Sequence, residues 1–113
     1  MITIYHNPRC SKSRQGLTIV EASGKDFKVV KYLDEPLSEK ALSEIITLLG
    51  IPAIDLVRKN EAIWKQSYKN QELSEKELLE LMVKNPKLIE RPIVVNGTNA
   101  VIGRPPERIN DIL

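Results

Sequence analysis

One cysteine, Cys10, and one histidine, His6, stand in 113 residues, and that scarcity excludes several chemistries at once. An intramolecular disulfide needs two thiols, and a zinc site built on paired cysteines needs as many. His6 has no second ligand at useful spacing, so no metal is expected. Aromatics make up only 4% of the chain, which leaves the core to aliphatic side chains. No apolar run approaches the length that crosses a bilayer. The start, Met1 to His6, has neither the basic opening nor the apolar stretch of a signal peptide. A reducing, cytoplasmic setting is therefore expected. An excess of one charge is also missing: 17 Lys and Arg face 15 Asp and Glu, for a formal net charge of +2. A dedicated nucleic-acid binder would carry a clustered basic stripe. Here Lys and Glu mix along the helical segments as solvated faces, so neither nucleic acid nor membrane is expected as a partner.

What is present suits one soluble domain spanning residues 1–113, with 42% hydrophobic and 28% charged residues. Ile2 to Tyr5 alternates as a short strand. A polar turn, His6-Asn7-Pro8-Arg9, leads to a helix from Ser11 to about Ser23, with Leu17, Val20 and Ile19 facing inward and Gly24 as its stop. Phe27 to Leu33 reads as a second strand, parallel to the first if the helix is a crossover. Pro36 and Ser38 open a helix running to Leu49, stopped by Gly50 and Pro52. Ile54 to Tyr68 carries no clear period. Ser74 and Glu77 form a capping box before Leu78, Leu81 and Met82, and Asn85-Pro86 ends that helix. Ile93-Val94-Val95 and Ala100-Val101-Ile102 form a hairpin around Asn96-Gly97. Pro105-Pro106 starts a last short helix reaching Ile112. The order βαβ, helices, hairpin, helix gives an α/β fold: a thioredoxin-like mixed sheet with an inserted helical segment.

Cys10 falls between a strand and the start of a helix. The first amides of a helix lack partners inside it, and the helix dipole adds partial positive charge there. Both a thiolate and a bound oxyanion are favoured at such a position. Ser11 and Ser13 can supply hydroxyl donors, while Arg9, Lys12 and Arg14 make the loop electropositive. A small buried cysteine is the ordinary alternative, but three basic neighbours do not suit an apolar core.

The loop His6-Asn7-Pro8-Arg9-Cys10 with Ser13-Arg14 resembles the active-site loop of the glutaredoxin-linked arsenate reductases, relatives of the Spx-type regulators. Three further segments match in order: Leu56-Val57-Arg58-Lys59-Asn60, Arg91-Pro92-Ile93-Val94-Val95 and Gly103-Arg104-Pro105. The resemblance covers essentially the whole chain, although longer members continue beyond the point matching Leu113. It implies that Arg58, Arg91 and Arg104 converge on the cysteine and hold the substrate oxyanion. Guanidinium suits that task, being permanently charged and offering paired donors. It also implies a cis bond before Pro92, where the residues alone favour a trans proline opening an edge strand. His6 is open to two roles, as a cation lowering the pKa of the thiol or as a hydrogen-bonding partner within the turn.

Two other motifs fail on spacing. The Cys-x5-Arg loop of phosphatase-like arsenate reductases would need arginine where Gly16 stands, and Cys-x-x-Cys would need cysteine at Ser13. The activity implied by the resemblance is reduction of arsenate to arsenite through a Cys10 adduct. Glutathione would serve as co-substrate and glutaredoxin as partner, with no bound cofactor and no metal. A related enzyme acting on another oxyanion or thiol adduct would use the same residues. The alternative from another class is a redox-related transcription regulator of the Spx type that binds RNA polymerase; the arginine trio and Ser13 favour the enzyme.

Overall fold

The alternation Ile2-Thr3-Ile4-Tyr5 behaves as a period of two predicts: in strand β1 (Ile2–Tyr5) the two isoleucines are buried and their neighbours half-buried. The computed structural model describes residues 1–113. After β1 come α1 (Ser11–Ala22), β2 (Phe27–Val30), α2 (Glu39–Leu49), α3 (Glu75–Lys84), β3 (Ile93–Asn96) and β4 (Asn99–Ile102). Short helical turns occupy Ala53–Leu56, Trp64–Tyr68, Pro86–Leu88 and Pro106–Ile112. Within the span expected as one domain, the chain divides into two compact units, Met1–Glu35 with Arg91–Leu113, and Pro36–Glu90.

The first unit holds a four-stranded sheet in the order β2-β1-β3-β4. β1 and β2 are parallel, with α1 as the crossover, whereas β1–β3 and β3–β4 are antiparallel. Ile2, Ile4, Val20, Val94 and Ile109 form the buried core, flanked by Leu17, Phe27, Val29 and Val101. Each such aliphatic group removed from water contributes about 1.5–3 kcal/mol. β2 is shorter than expected, because the amides of Asp34 and Glu35 both turn back to the carbonyl of Lys31. The hairpin turn lies one residue later than the Asn-Gly signal suggests. Asn96 pairs with Asn99, so Gly97 and Thr98 make the loop, and Gly97 takes the left-handed φ of 64°.

The Pro36–Glu90 unit is helical. Ser38 caps α2 by accepting from the amide of Ala41, and Gly50 ends it at φ 67°. Ser74 and Glu77 form both halves of the capping box on α3. Leu42, Leu56, Leu78, Met82 and Leu88 are buried here. Val57 and Ile89 pair in an isolated antiparallel bridge.

In the first unit α1 packs with the face of Ser13, Gly16 and Val20 buried. A Cβ on Gly16 would lie 2.8 Å from Cγ of Pro92 and 2.9 Å from Cδ1 of Ile109. Gly103 faces the same two atoms, each at 2.9 Å. The Arg91–Pro92 peptide is cis, as the resemblance implies, and Arg104–Pro105 is cis as well. Alanine normally improves a helix over glycine by about 1 kcal/mol, whereas overpacking a rigid contact costs about 1–3 kcal/mol. The stiff proline ring makes overpacking the larger effect. Gly16→Ala should therefore lower stability to urea by roughly 1 kcal/mol or more, where a surface glycine in a helix would show a gain.

Candidate active site

α1 begins at Ser11, and Cys10 takes the N-cap position in extended backbone (φ −96°, ψ 124°). The loop before it is tightly tied. The amide of His6 donates to Val30 at 2.8 Å, continuing the β1–β2 pairing, and the amide of Cys10 donates to Asn7 at 3.0 Å. Arg9 donates its amide to Oδ1 of Asn7 at 3.0 Å, and Nη1 of Arg14 donates to the carbonyl of Pro8 at 2.9 Å. Cys10 is thus held at the end of the sheet, half-buried, with its thiol free of any disulfide.

Burial pushes the Cys10 thiol up, but the amides of Ser13 and Lys12 and the charge and hydrogen bond of Arg91 outweigh it, so its pKa is lowered overall. The side chain closes no full capping hydrogen bond in the neutral geometry. The amides nonetheless sit close enough to favour the charged form, since they carry the helix's unsatisfied N–H dipoles. Arg91, on the segment entering β3, is itself buried at 8% exposure, so its charge acts with little solvent screening.

Arg104 joins the same place through the backbone. Gly103 donates its amide to Pro92 at 2.8 Å, and Nη1 of Arg104 donates to the carbonyl of Arg91 at 3.2 Å. The loop after β4 is thereby stitched to the loop before β3. Arg58 lies in the Pro36–Glu90 unit, where its amide donates to Leu88 and its side chain pairs with Glu61 at 3.1 Å.

Ser13 does not point its hydroxyl at an anion, as the sequence suggested it could. Position N3 of α1 falls on the buried face, and Ser13 Oγ lies 2.6 Å from Nδ1 of His6 while accepting the amide of Asn7 at 2.9 Å. The Ser13 hydroxyl thus ties the imidazole to the loop backbone, with one hydrogen bond to Nδ1 of His6 and one accepted from the amide of Asn7. Burial lowers the pKa of His6, and the charges of Lys31 and Arg14 lower it further, against weaker opposition from Ser13 and Glu21. Burial thus favours the neutral ring, and His6 braces the loop through its contact with Ser13. Arg14 contributes charge and a loop hydrogen bond. The sequence did not single out the Lys12 amide, Gly16 or Ile109, and Gly103 entered only as part of a matched segment. A glycine within α1 was the available signal, since a helix keeps one where a close approach needs it.

A family model described as the ArsC family matches residues 5–112 of this chain. The chain belongs to the ArsC family. Among its ArsC relatives, the uncharacterized protein YfgD of Escherichia coli K12 is 44% identical over 99% of this chain and 96% of its own. An arsenate reductase of Haemophilus influenzae is 40% identical, covering 99% and 98%. The solved arsenate reductase of Vibrio cholerae superimposes with a TM-score of 0.94 at 40% identity, covering 99% of this chain and 97% of that one. The mixed four-stranded sheet with its helices is the thioredoxin-like fold of ArsC proteins, a family related to Spx. No helix is long and apolar enough to cross a membrane, and no group of three or more His, Cys, Asp and Glu is placed to hold a metal ion.

Two measurements examine this arrangement. The alkylation rate of Cys10 against pH should show a midpoint below the ordinary thiol value of about 8.5. Arg91→Ala should move that midpoint upward, and an unmoved midpoint would take Arg91 out of the thiol's environment. His6 is linked to stability in the same direction. Its folded pKa lies below the unfolded value of about 6.5, so the unfolded chain binds the extra proton. Stability from this group is complete above that value and declines as pH falls through it. Unfolding in urea between neutral and mildly acidic pH should show that decline, and His6→Gln should flatten it.

Proposed function

We propose that the protein reduces arsenate to arsenite, using Cys10 as the nucleophile and glutathione with glutaredoxin as the external source of reducing thiol. The observation that carries this reading is the Cys10 thiol at the start of α1, lowered in pKa by two helix amides and by buried Arg91. The names of the ArsC relatives supply the oxyanion. Attack of the thiolate on arsenic(V) forms a sulfur–arsenic bond, and one arsenate oxygen leaves as water after protonation. Arg91 and Arg104 offset the charge of the oxyanion while the sulfur approaches. The resemblance adds Arg58 as a third cation for the same anion.

Two electrons must then reach arsenic. They come from two sulfurs that end as one disulfide, with arsenic(III) released as arsenite. The chain has one cysteine, so the second thiol is external. Glutathione would attack the adduct, and glutaredoxin would reduce the resulting mixed disulfide and return Cys10 to its thiol. The reaction needs no metal and no bound cofactor, and it fits a reducing cytoplasmic compartment.

Reduced protein incubated with arsenate alone should release no arsenite, even in a single turnover. Adding glutathione and glutaredoxin should give repeated turnover, and Cys10→Ser should abolish it with the circular-dichroism spectrum unchanged. Arg91→Lys should lose on the order of tenfold or more in kcat/KM for arsenate, because an ammonium cannot supply paired planar donors. Arsenite released stoichiometrically without any small thiol would refute the single-cysteine scheme. If glutathione and glutaredoxin support no turnover with arsenate, the arsenate reductase reading fails and the polymerase-binding regulator gains.

A further inference from the structure

The Pro36–Glu90 unit carries a surface cavity of about 620 Å³, a volume in the range of small-molecule sites. Ile54, Trp64, Leu73 and Leu78 give it an apolar wall, and Trp64 and Leu78 are themselves buried. Lys59, Lys65 and Lys69 stand on its rim, all exposed. The backbone that presents them is unusual. The amide of Lys69 donates at 2.9 Å to the carbonyl of Trp64 five residues earlier, closing a single π-helical turn over Trp64–Tyr68. Such wide turns are rare and occur often at functional sites.

Charge decides what this cavity suits. Two acidic residues line it, Glu72 and Glu75, but the Glu75 carboxylate is already engaged by the amide of Ala53, at 3.0 and 3.3 Å. Three ammonium groups thus outnumber two carboxylates around an apolar floor, and one of those carboxylates is held back by the Ala53 amide. We propose that this cavity binds a small organic anion with a flat apolar body, its carboxylate held at Lys65 and Lys69 and its apolar part against Trp64 and Leu78. The site lies wholly within the Pro36–Glu90 unit and does not use Cys10, so it goes beyond the proposed reductase activity and stands independently of it.

Trp64 is the only tryptophan of the chain, so tryptophan emission comes from a residue in the wall of this cavity. The full chain is titrated with 4-phenylbutyrate, excited at the red edge of tryptophan absorption, and the isotherm is repeated by calorimetry. Saturable change in Trp64 emission is expected at sub-millimolar concentration. The uncharged analogue 4-phenylbutanol should bind at least about tenfold more weakly, and so should the acid to the Lys65→Glu/Lys69→Glu variant. Both lysines are exposed, so the variant should keep the native circular-dichroism spectrum. Absence of any saturable signal by either method overturns the proposal. Equal binding of the alcohol, or equal affinity in the double variant, overturns it too, because the site would then be a merely greasy groove.

Discussion

The Pro92 ring meets α1 at Gly16 and the loop after β4 at Gly103, and at both places a Cβ would fall within 3 Å of it. Three chain segments far apart in sequence are thereby locked together, with Ile109 filling the same contact from the last helical turn. Protein interiors are close-packed and transmit displacement, so a shift at this junction would be felt at each segment it joins. Arg91 precedes the proline and Arg104 follows Gly103, so both guanidinium groups inherit their positions from this contact. α1 inherits its own, and with it the amides that face Cys10. The geometry around Cys10 at one end of the sheet thus rests on two side-chain-free positions.

That frame also resolves an electrostatic difficulty in the proposed chemistry. A thiolate and an arsenate dianion repel one another, and a half-buried site would strengthen the repulsion. Arg91 sits where it favours the thiolate before substrate arrives. Once an oxyanion approaches, the same buried guanidinium can be shared between sulfur and oxygen, since it presents five donors in one plane. The neutral His6 matters here for what it leaves out. Its Nδ1 secures Ser13 while burial disfavours another positive charge in the loop.

Much of this was legible in the residues, though unevenly. Ser38, Gly50, Ser74 and Glu77 announce the ends of α2 and α3 because caps act locally, between neighbours in sequence. The stretch from Ile54 to Tyr68 stayed unreadable because its turns follow neither a period of two nor one of 3.6. The hairpin register slipped by one because the turn needs positive φ at Gly97 alone, so Asn96 remained in the strand. At the site, Cys10 followed from its place before a helix, whereas Arg91 and Arg104 followed only from resemblance. Their union is made by a Gly103–Pro92 backbone bond that no local pattern encodes.

Ser13 shows where sequence spacing and structure give different reasons for one conclusion. By spacing, it stands where a resolving cysteine would complete a Cys-x-x-Cys pair, and its identity alone removes that redox route. In the structure the side chain is also fully buried and turned to His6 and Asn7. A thiol there would be a poorer hydrogen-bond partner than the hydroxyl for both the buried imidazole nitrogen and the Asn7 amide. The position supports the loop, and its backbone amide serves Cys10 while its side chain serves the frame behind it. The second sulfur of the proposed reaction must then enter from solvent, on the side where Arg9 and Lys12 are exposed. A small anionic thiol such as glutathione meets favourable charge on that approach, which is where electrostatics acts most strongly on encounter.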